Sequence, residues 1–66
     1  PYPRRILLKK GDIKEIANIT GYTYETVVYQ LSGTRRIQPS VRAVADRFAD
    51  RTQAELDAIK EMDINQ

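Results

Sequence analysis

The 66-residue sequence contains no cysteine and no histidine, and each absence excludes a class of protein. Without cysteine there is no disulfide framework of the kind that supports many very small secreted domains. Without histidine the chain lacks the most frequent general base and metal ligand, so a Ser/His/Asp or Cys/His catalytic centre cannot form. A core this small also leaves little room for a pocket. We therefore expect a protein that is not an enzyme and has no cofactor, metal or small-molecule site.

Long hydrophobic runs are also missing. No uninterrupted apolar run exceeds three residues, as in the segment 6–8. A membrane-spanning helix needs about 20 apolar residues, and the apolar part of a secretory signal needs about 7–15. The sequence therefore predicts a cytoplasmic protein that has no membrane partner.

The net charge of +2 is small, but the charges are unevenly distributed along the chain. Residues 1–42 carry eight basic and three acidic residues, a net charge of +5, whereas residues 43–66 carry three basic and six acidic residues, a net charge of −3. This separation predicts one surface that attracts polyanions and another that does not. The alternative is that the charges only solvate a small protein, and composition alone does not decide between the two.

Helix-forming patterns occur along the whole chain, whereas the period-2 alternation that is typical of strands does not persist. Glycines at 11, 21 and 33 and several capping residues separate the apolar segments from one another. The pattern predicts an all-α fold, a compact bundle of about five short helices that forms a single domain over residues 1–66. The predicted helices cover residues 4–10, 13–19, 24–32, 39–49 and 53–62.

Capping signals set the predicted boundaries of these helices. Asp12 and Glu15 are close to a capping box at the start of the second helix. Thr23 is the predicted N-cap of the third helix. Thr52 and Glu55 have the spacing of a second capping box, which predicts that a separate fifth helix begins there.

Apolar residues at helical spacing predict the hydrophobic core. The predicted core residues are Ile6, Leu8, Ile13, Ile16, Ala17, Val27, Leu31, Val41, Val44, Phe48, Leu56 and Ile59. The fifth helix, 53–62, has two interpretations. Its apolar side chains either close the core of the same chain or form the surface of a homodimer, for which this helix is the best candidate. We favour burial in the core of the same chain.

The most informative pattern lies in residues 17–27. A helix-turn-helix unit needs a small residue where its two helices cross, a residue that can turn sharply four positions later, and a β-branched apolar residue six positions further on. Ala17, Gly21 and Val27 have these identities and this spacing. Thr23 is placed to start the second helix so that its first residues protrude into a major groove.

The segment 12–27 resembles the helix-turn-helix of lac-repressor-type regulators, and the segment 30–40 resembles phage lambda repressor and Cro-type (Xre) domains. Both groups belong to the lambda-repressor-like superfamily, and the resemblance covers about residues 4–60. It implies sequence-specific binding of double-stranded DNA by a transcriptional regulator, of the prokaryotic or phage type and associated with the nucleoid. Gln30 departs from the pattern, because related chains often carry an apolar residue there; it predicts an exposed edge of the helix or a different crossing angle.

The resemblance also implies that the exposed face of the helix 24–32 contacts base edges, while surrounding residues bind phosphates. The implied base-reading residues are Tyr24, Glu25, Val28, Tyr29 and Ser32. The implied phosphate-binding residues are Lys9, Lys10, Lys14, Thr23, Thr34, Arg35, Arg36 and Arg42. Structural alternatives stay open: the tyrosines could cover the edge of the core, the glutamate could stabilise its own helix dipole, and the first two lysines could simply be solvated.

Two further classes of function are compatible with the same residues. One is a protein-interaction module of the antitoxin or adaptor type, which Glu25 and the two tyrosines favour more than they favour a typical DNA binder. The other is binding of RNA or single-stranded DNA by tyrosine and arginine stacking, which is weakened because the tyrosines lie on a helix rather than a sheet. The leading prediction is duplex DNA bound by a homodimer, because two half-sites multiply a weak single interaction.

Overall fold

The computed structural model describes the backbone of residues 1–64 and the side chains of residues 1–62. A short 3-10 helix, Arg5–Leu7, precedes three α-helices: α1 (Asp12–Thr20), α2 (Tyr24–Ser32) and α3 (Pro39–Ile64). No strand occurs in these residues, so the predicted all-α class is confirmed, whereas the prediction of about five short helices is wrong. Within residues 1–64 no helix combines the length and the hydrophobicity that crossing a bilayer requires.

Glycine and threonine set the ends of α1 and α2 as the sequence predicts. Gly21 has a φ of 84°, and its N–H donates to the carbonyl of Ala17 at 2.9 Å, which closes the end of α1. Gly33 ends α2 with a φ of 90°. The hydroxyl oxygen of Thr23 accepts from the backbone N–H of Thr26 at 3.2 Å, so the predicted N-cap of α2 is confirmed.

The start of α1 differs from the prediction. Gly11, with a φ of 93°, occupies the N-cap position, and Asp12 is already the first helical residue. The Asp12 carboxylate accepts from the backbone N–H of Lys9 at 2.7 Å and from the Arg51 guanidinium at 3.1 Å. The Asp12 carboxylate therefore binds both the segment before α1 and helix α3. Because it does not cap α1, the predicted capping box between Asp12 and Glu15 is wrong.

The predicted first helix, 4–10, is much shorter in the structure. Only Arg5–Leu7 is helical, because the backbone of Leu8 is extended, with φ −84° and ψ 132°. Ile6 is almost fully exposed in this single turn, so its predicted place in the core is wrong.

The two predicted C-terminal helices are one continuous helix of 26 residues, α3. No glycine or proline interrupts the chain after Pro39, and Thr52, the predicted cap, lies buried within the helix. At about 1.5 Å per residue the helix is about 39 Å long, which accounts for the 44 Å long axis of the molecule. The sequence also predicts that the polar end, residues 63–66, frays; α3 continues to Ile64, and residues 65 and 66 lie outside the described residues.

The core lies where α1, α2 and the first half of α3 meet. Its largest fully buried side chains are Ile16, Val27, Leu31 and Val41, all of which the apolar spacing predicts. The remaining confirmed core position is Ala17. Four more predicted residues are partly buried against this cluster: Leu8, Ile13, Val44 and Phe48.

Tyr2 is the largest core residue that the sequence did not predict. Its backbone N–H donates to the carbonyl of Leu31 at 2.8 Å, and its phenol hydroxyl donates to the carboxylate of Asp46. Burial, followed by this hydrogen bond to Asp46, raises the pKa of Tyr2 to about 12. The N-terminal segment therefore connects the end of α2 to the middle of α3.

The second half of α3 extends beyond the core. Leu56 and Ile59 are exposed, so the prediction that they are buried in the core of the same chain is wrong. Ala49 and Ala45, about two and three turns before Leu56 on α3, are fully buried instead. The prediction failed because a separate fifth helix, packed back on the core, was expected for residues 53–62. In the structure these residues continue α3.

Candidate nucleic-acid interface

The side of α2 that faces away from the core carries the predicted base-reading residues. Tyr24 is 55% exposed and Tyr29 is 41% exposed, and Glu25 is exposed as well. Val28 and Ser32 are half-buried at the edge of this face. Two tyrosines and one carboxylate are therefore the groups of α2 that are most available to a partner.

The loop between α2 and α3, residues 33–38, is called the basic loop here, and it folds back toward this face. The backbone N–H of Arg35 donates to the carbonyl of Tyr29 at 3.1 Å. The Arg35 guanidinium lies over the Tyr29 ring, 5.7 Å from its centroid, within the range of a cation–π contact. The structure thus brings an arginine of the basic loop onto the exposed face of α2.

Gln30 holds the far end of the basic loop. Its side chain is 4% exposed, and its Oε1 accepts from the backbone N–H of Gln38 at 2.9 Å. The exposed edge that was one interpretation of Gln30 is therefore wrong. Sequence reasoning missed this role, although a polar residue on the buried face of an amphipathic helix signals an internal hydrogen-bond partner.

The predicted hydroxyl-bearing contact residues are held by local hydrogen bonds. Ser32 Oγ donates to the carbonyl of Tyr29 at 3.2 Å and lies 3.1 Å from Thr34 Oγ1. Thr23 Oγ1 donates to Thr26 Oγ1 at 2.8 Å while it caps α2. These hydroxyls primarily shape the two ends of α2, since each already has a partner within the chain.

Lys9 differs from the other predicted phosphate-binding cations. Its Nζ lies 2.5 Å from a carboxylate oxygen of Glu55 on α3. Arg51 is paired in a similar way with Asp12, at 3.1 Å. Carboxylates therefore compensate the positive charge on the side of the molecule where α3 leaves the core.

The other predicted cations form no salt bridge within the described residues. These exposed side chains are Lys10, Lys14, Arg35, Arg36 and Arg42. The three arginines line one shallow cleft of about 260 Å³, which Gln30 also lines. The two lysines are not among the residues of that cleft; they lie before and within the first turn of α1.

Arg35, Arg36 and Arg42 place uncompensated positive charge beside the exposed face of α2. Guanidinium groups bind phosphates through charge-assisted hydrogen bonds, and a helix face with aromatic and carboxylate groups can contact base edges or another protein. No family model, curated protein or solved structure matches this chain. Its function is therefore inferred from the exposed face of α2, the basic loop and the unpaired cations.

Proposed function

We propose that this chain binds double-stranded DNA sequence-specifically, as the DNA-binding domain of a transcriptional regulator. In this proposal α1 and α2 are the two helices of a helix-turn-helix, joined by the turn 21–23, and α2 enters the major groove. The observation that carries the proposal is the contact between Arg35 and Tyr29. It means that side chains suited to base contacts and cations suited to phosphate contacts share one surface.

The dimensions of α2 suit a major groove. An α-helix with its side chains is about 10–12 Å across, and the major groove of B-DNA, about 12 Å wide, admits it. The Thr23 cap places Tyr24 and Glu25 in the first turn of α2, which is the turn that a recognition helix inserts most deeply.

Base discrimination by this face is expected to be moderate. Glu25 can accept a hydrogen bond from the amino group of cytosine, and Val28 can contact the methyl group of thymine. Neither offers the bidentate contact that arginine makes with guanine.

The unpaired cations give the proposal a quantitative consequence. Four or five phosphate contacts predict that the logarithm of the duplex affinity falls with the logarithm of salt concentration with a slope of about −3.6 to −4.5. Lys9 is left out of this number because Glu55 already binds it.

The test is a salt titration of duplex binding with the native chain and two variants. Arg35→Ala combined with Arg36→Ala should weaken binding to all duplexes alike and reduce the slope by about 2, since each lost phosphate contact removes about 0.9. Lys60→Ala, on the distal half of α3, is the control that keeps the native slope. An unchanged slope in the double arginine variant would show that the basic loop does not bind phosphate.

A second candidate is a protein-interaction module on the same fold. The observation that favours it is the exposure of Tyr24 and Tyr29 together with Glu25, since exposed tyrosines are frequent at protein interfaces. It predicts no appreciable affinity for duplex DNA at low salt, so the same titration separates the two.

Duplex binding also implies that the protein works where prokaryotic or phage DNA is accessible, in the cytoplasm, and as a homodimer on a pseudo-palindromic site.

A further inference from the structure

The cleft between the basic loop and the start of α3, called the arginine cleft here, gathers three uncompensated positive charges. It has a volume of about 260 Å³ and is lined by Arg35, Arg36 and Arg42. In the described part of the chain no carboxylate lines it, and none of the three guanidinium groups forms a salt bridge. Like charges that share one cleft repel one another. An anion bound there would remove this repulsion.

Gln30 supplies a neutral hydrogen-bond donor to the same cleft. The residue is only 4% exposed, yet it lines the arginine cleft. Its Oε1 accepts from the backbone N–H of Gln38 at 2.9 Å, which fixes the orientation of the amide, because only its oxygen can accept. Its Nε2 has no acceptor within the described residues. Since buried polar groups normally have partners, two N–H donors are left for a group that occupies the cleft.

The start of α3 adds to the positive potential at this place. Pro39, the first residue of this 26-residue helix, lines an adjoining cleft together with Arg36 and Arg42. The first N–H groups of a helix have no partner within the helix, and the helix dipole is positive at this end. An anion held between Arg36 and Arg42 would therefore also lie near the positive end of a long helix.

We propose that the arginine cleft binds a diphosphate group, from inorganic diphosphate or from the phosphate tail of a nucleotide, and that this ligand competes with DNA. A phosphodiester of DNA carries one negative charge, whereas a terminal phosphoryl group carries about −1.5 to −2 at pH 7. Three guanidinium groups favour the more highly charged anion, and its oxygens can accept paired hydrogen bonds from them.

The size of the cleft limits the ligand to a compact group. Pockets for drug-sized ligands measure about 300–1,000 Å³, so the arginine cleft suits a diphosphate rather than a whole nucleotide. The sequence predicts no small-molecule site, because Gln30 and the three arginines meet only in the folded chain.

The competition rests on the proposed function, whereas binding of the diphosphate does not. Arg35 and Arg36 are among the cations that the proposed DNA binding uses, so the same guanidinium groups cannot hold both anions. Arg35 also lies over the Tyr29 ring on the exposed face of α2. A diphosphate in the cleft therefore removes contacts on which duplex affinity depends.

Calorimetry without DNA tests the site itself. At low salt, inorganic diphosphate should bind at one site with a dissociation constant on the order of 0.1–1 mM. ADP with equal affinity would assign the binding to the diphosphate alone, and tighter binding of ADP would identify a nucleotide as the ligand. Dimethyl phosphate, with the single charge of a phosphodiester, should bind at least about tenfold more weakly. The proposal is overturned if neither diphosphate nor ADP saturates the protein, or if dimethyl phosphate binds equally well.

Two arginines of α3 give a matched pair of variants. Arg42→Gln should weaken diphosphate binding about tenfold, because it removes a hydrogen bond between charged groups. Arg47 is also exposed on α3 but does not line the arginine cleft, so Arg47→Gln should bind within about twofold of the native chain. Equal losses in the two variants would show that net charge alone attracts the anion, which contradicts a defined site.

Gln30→Glu tests the amide donors. The variant keeps an oxygen that can accept from Gln38 but replaces the Nε2 donors with a carboxylate oxygen. It should abolish diphosphate binding, with circular dichroism to verify that the helices are retained. Native affinity in this variant would contradict the role of Gln30, and the result for Arg42→Gln stands independently of it.

Fluorescence anisotropy with labelled duplex tests the competition. Diphosphate at ten times its dissociation constant should lower duplex affinity about tenfold, compared with sodium chloride at the same ionic strength, because salt alone weakens binding. Arg42→Gln should lose most of this effect. An equal loss in sodium chloride would refute competition. A chain that binds diphosphate but no duplex would contradict the proposed function and leave the arginine cleft as a ligand site.

Discussion

Deprotonation of Tyr2 is expected to release the N-terminal segment from the core. The phenol is buried and donates its hydrogen to the carboxylate of Asp46. Removing that hydrogen would place two negative oxygens side by side in a poorly solvated position. This is the physical reason that burial and the hydrogen bond to Asp46 raise the pKa of Tyr2 from 10.0 to about 12.

The sign and size of the effect follow from the shift in pKa. The folded protein holds the phenol proton more tightly than the unfolded chain, so the stabilisation is fully present below pH 10 and is lost as the pH rises toward about 12. One pKa unit corresponds to about 1.4 kcal/mol, so the free energy of unfolding should fall by about 2 kcal/mol by about pH 11.5.

Tyr2→Phe isolates this contribution. At neutral pH the variant loses one hydrogen bond to a charged acceptor, which costs about 1.5 kcal/mol. It should then lack the part of the alkaline destabilisation that comes from Tyr2. Urea unfolding followed by circular dichroism, at neutral and alkaline pH, measures both quantities. Tyr24→Phe is the control, because this tyrosine lies exposed on α2 and should keep the native pH dependence. Equal alkaline losses in the native chain and in Tyr2→Phe would refute the reasoning.

Three other substitutions have defined outcomes. Thr23→Ala removes the cap of α2 and should lower the free energy of unfolding by about 1 kcal/mol; an unchanged urea midpoint would contradict this. Thr52→Val removes a buried hydroxyl that has no hydrogen-bond partner within the described residues, and it should raise the stability by about 1 kcal/mol in the same assay. Gln30→Leu breaks the bond to Gln38 but buries a larger apolar side chain. We expect a change in stability within about 1 kcal/mol and a loss of duplex affinity of about threefold to tenfold, measured by fluorescence anisotropy; native affinity in this variant would show that Gln30 does not position the basic loop.

Local signals predicted the central part of the fold well. The range of α2 and its Thr23 cap were predicted correctly, because a β-branched core pattern, a capping threonine and a terminal glycine all indicate the same helix. The same is true of Gly21, whose positive φ ends α1.

Signals that depend on tertiary contacts were misinterpreted. The residues from Thr52 to Glu55 match a capping box, but nothing between Ala49 and Leu56 breaks a helix, and the burial of Thr52 favours its continuation. Asp12 was expected to cap α1, yet its carboxylate is bound by Lys9 and Arg51, and the latter lies 39 positions away. Sequence spacing does not reveal such distant partners.

At the candidate site, too, local signals predicted some features, and tertiary contacts determined others. Exposure of Tyr24 and Tyr29 follows from helical periodicity. The stacking of Arg35 on Tyr29 depends on how the basic loop folds back. The salt bridge between Lys9 and Glu55 forms because α3 continues past Thr52. Charge counts along the sequence could not separate paired from unpaired cations.

Selection from random duplex sequences tests the central claim most directly, because it requires both affinity and base contacts. The native chain should enrich a defined sequence, Tyr29→Ala should enrich a different or weaker one, and Lys60→Ala should enrich the native one. If the native chain enriches no sequence under low-salt conditions, the exposed face of α2 does not recognise DNA and the proposed function is wrong.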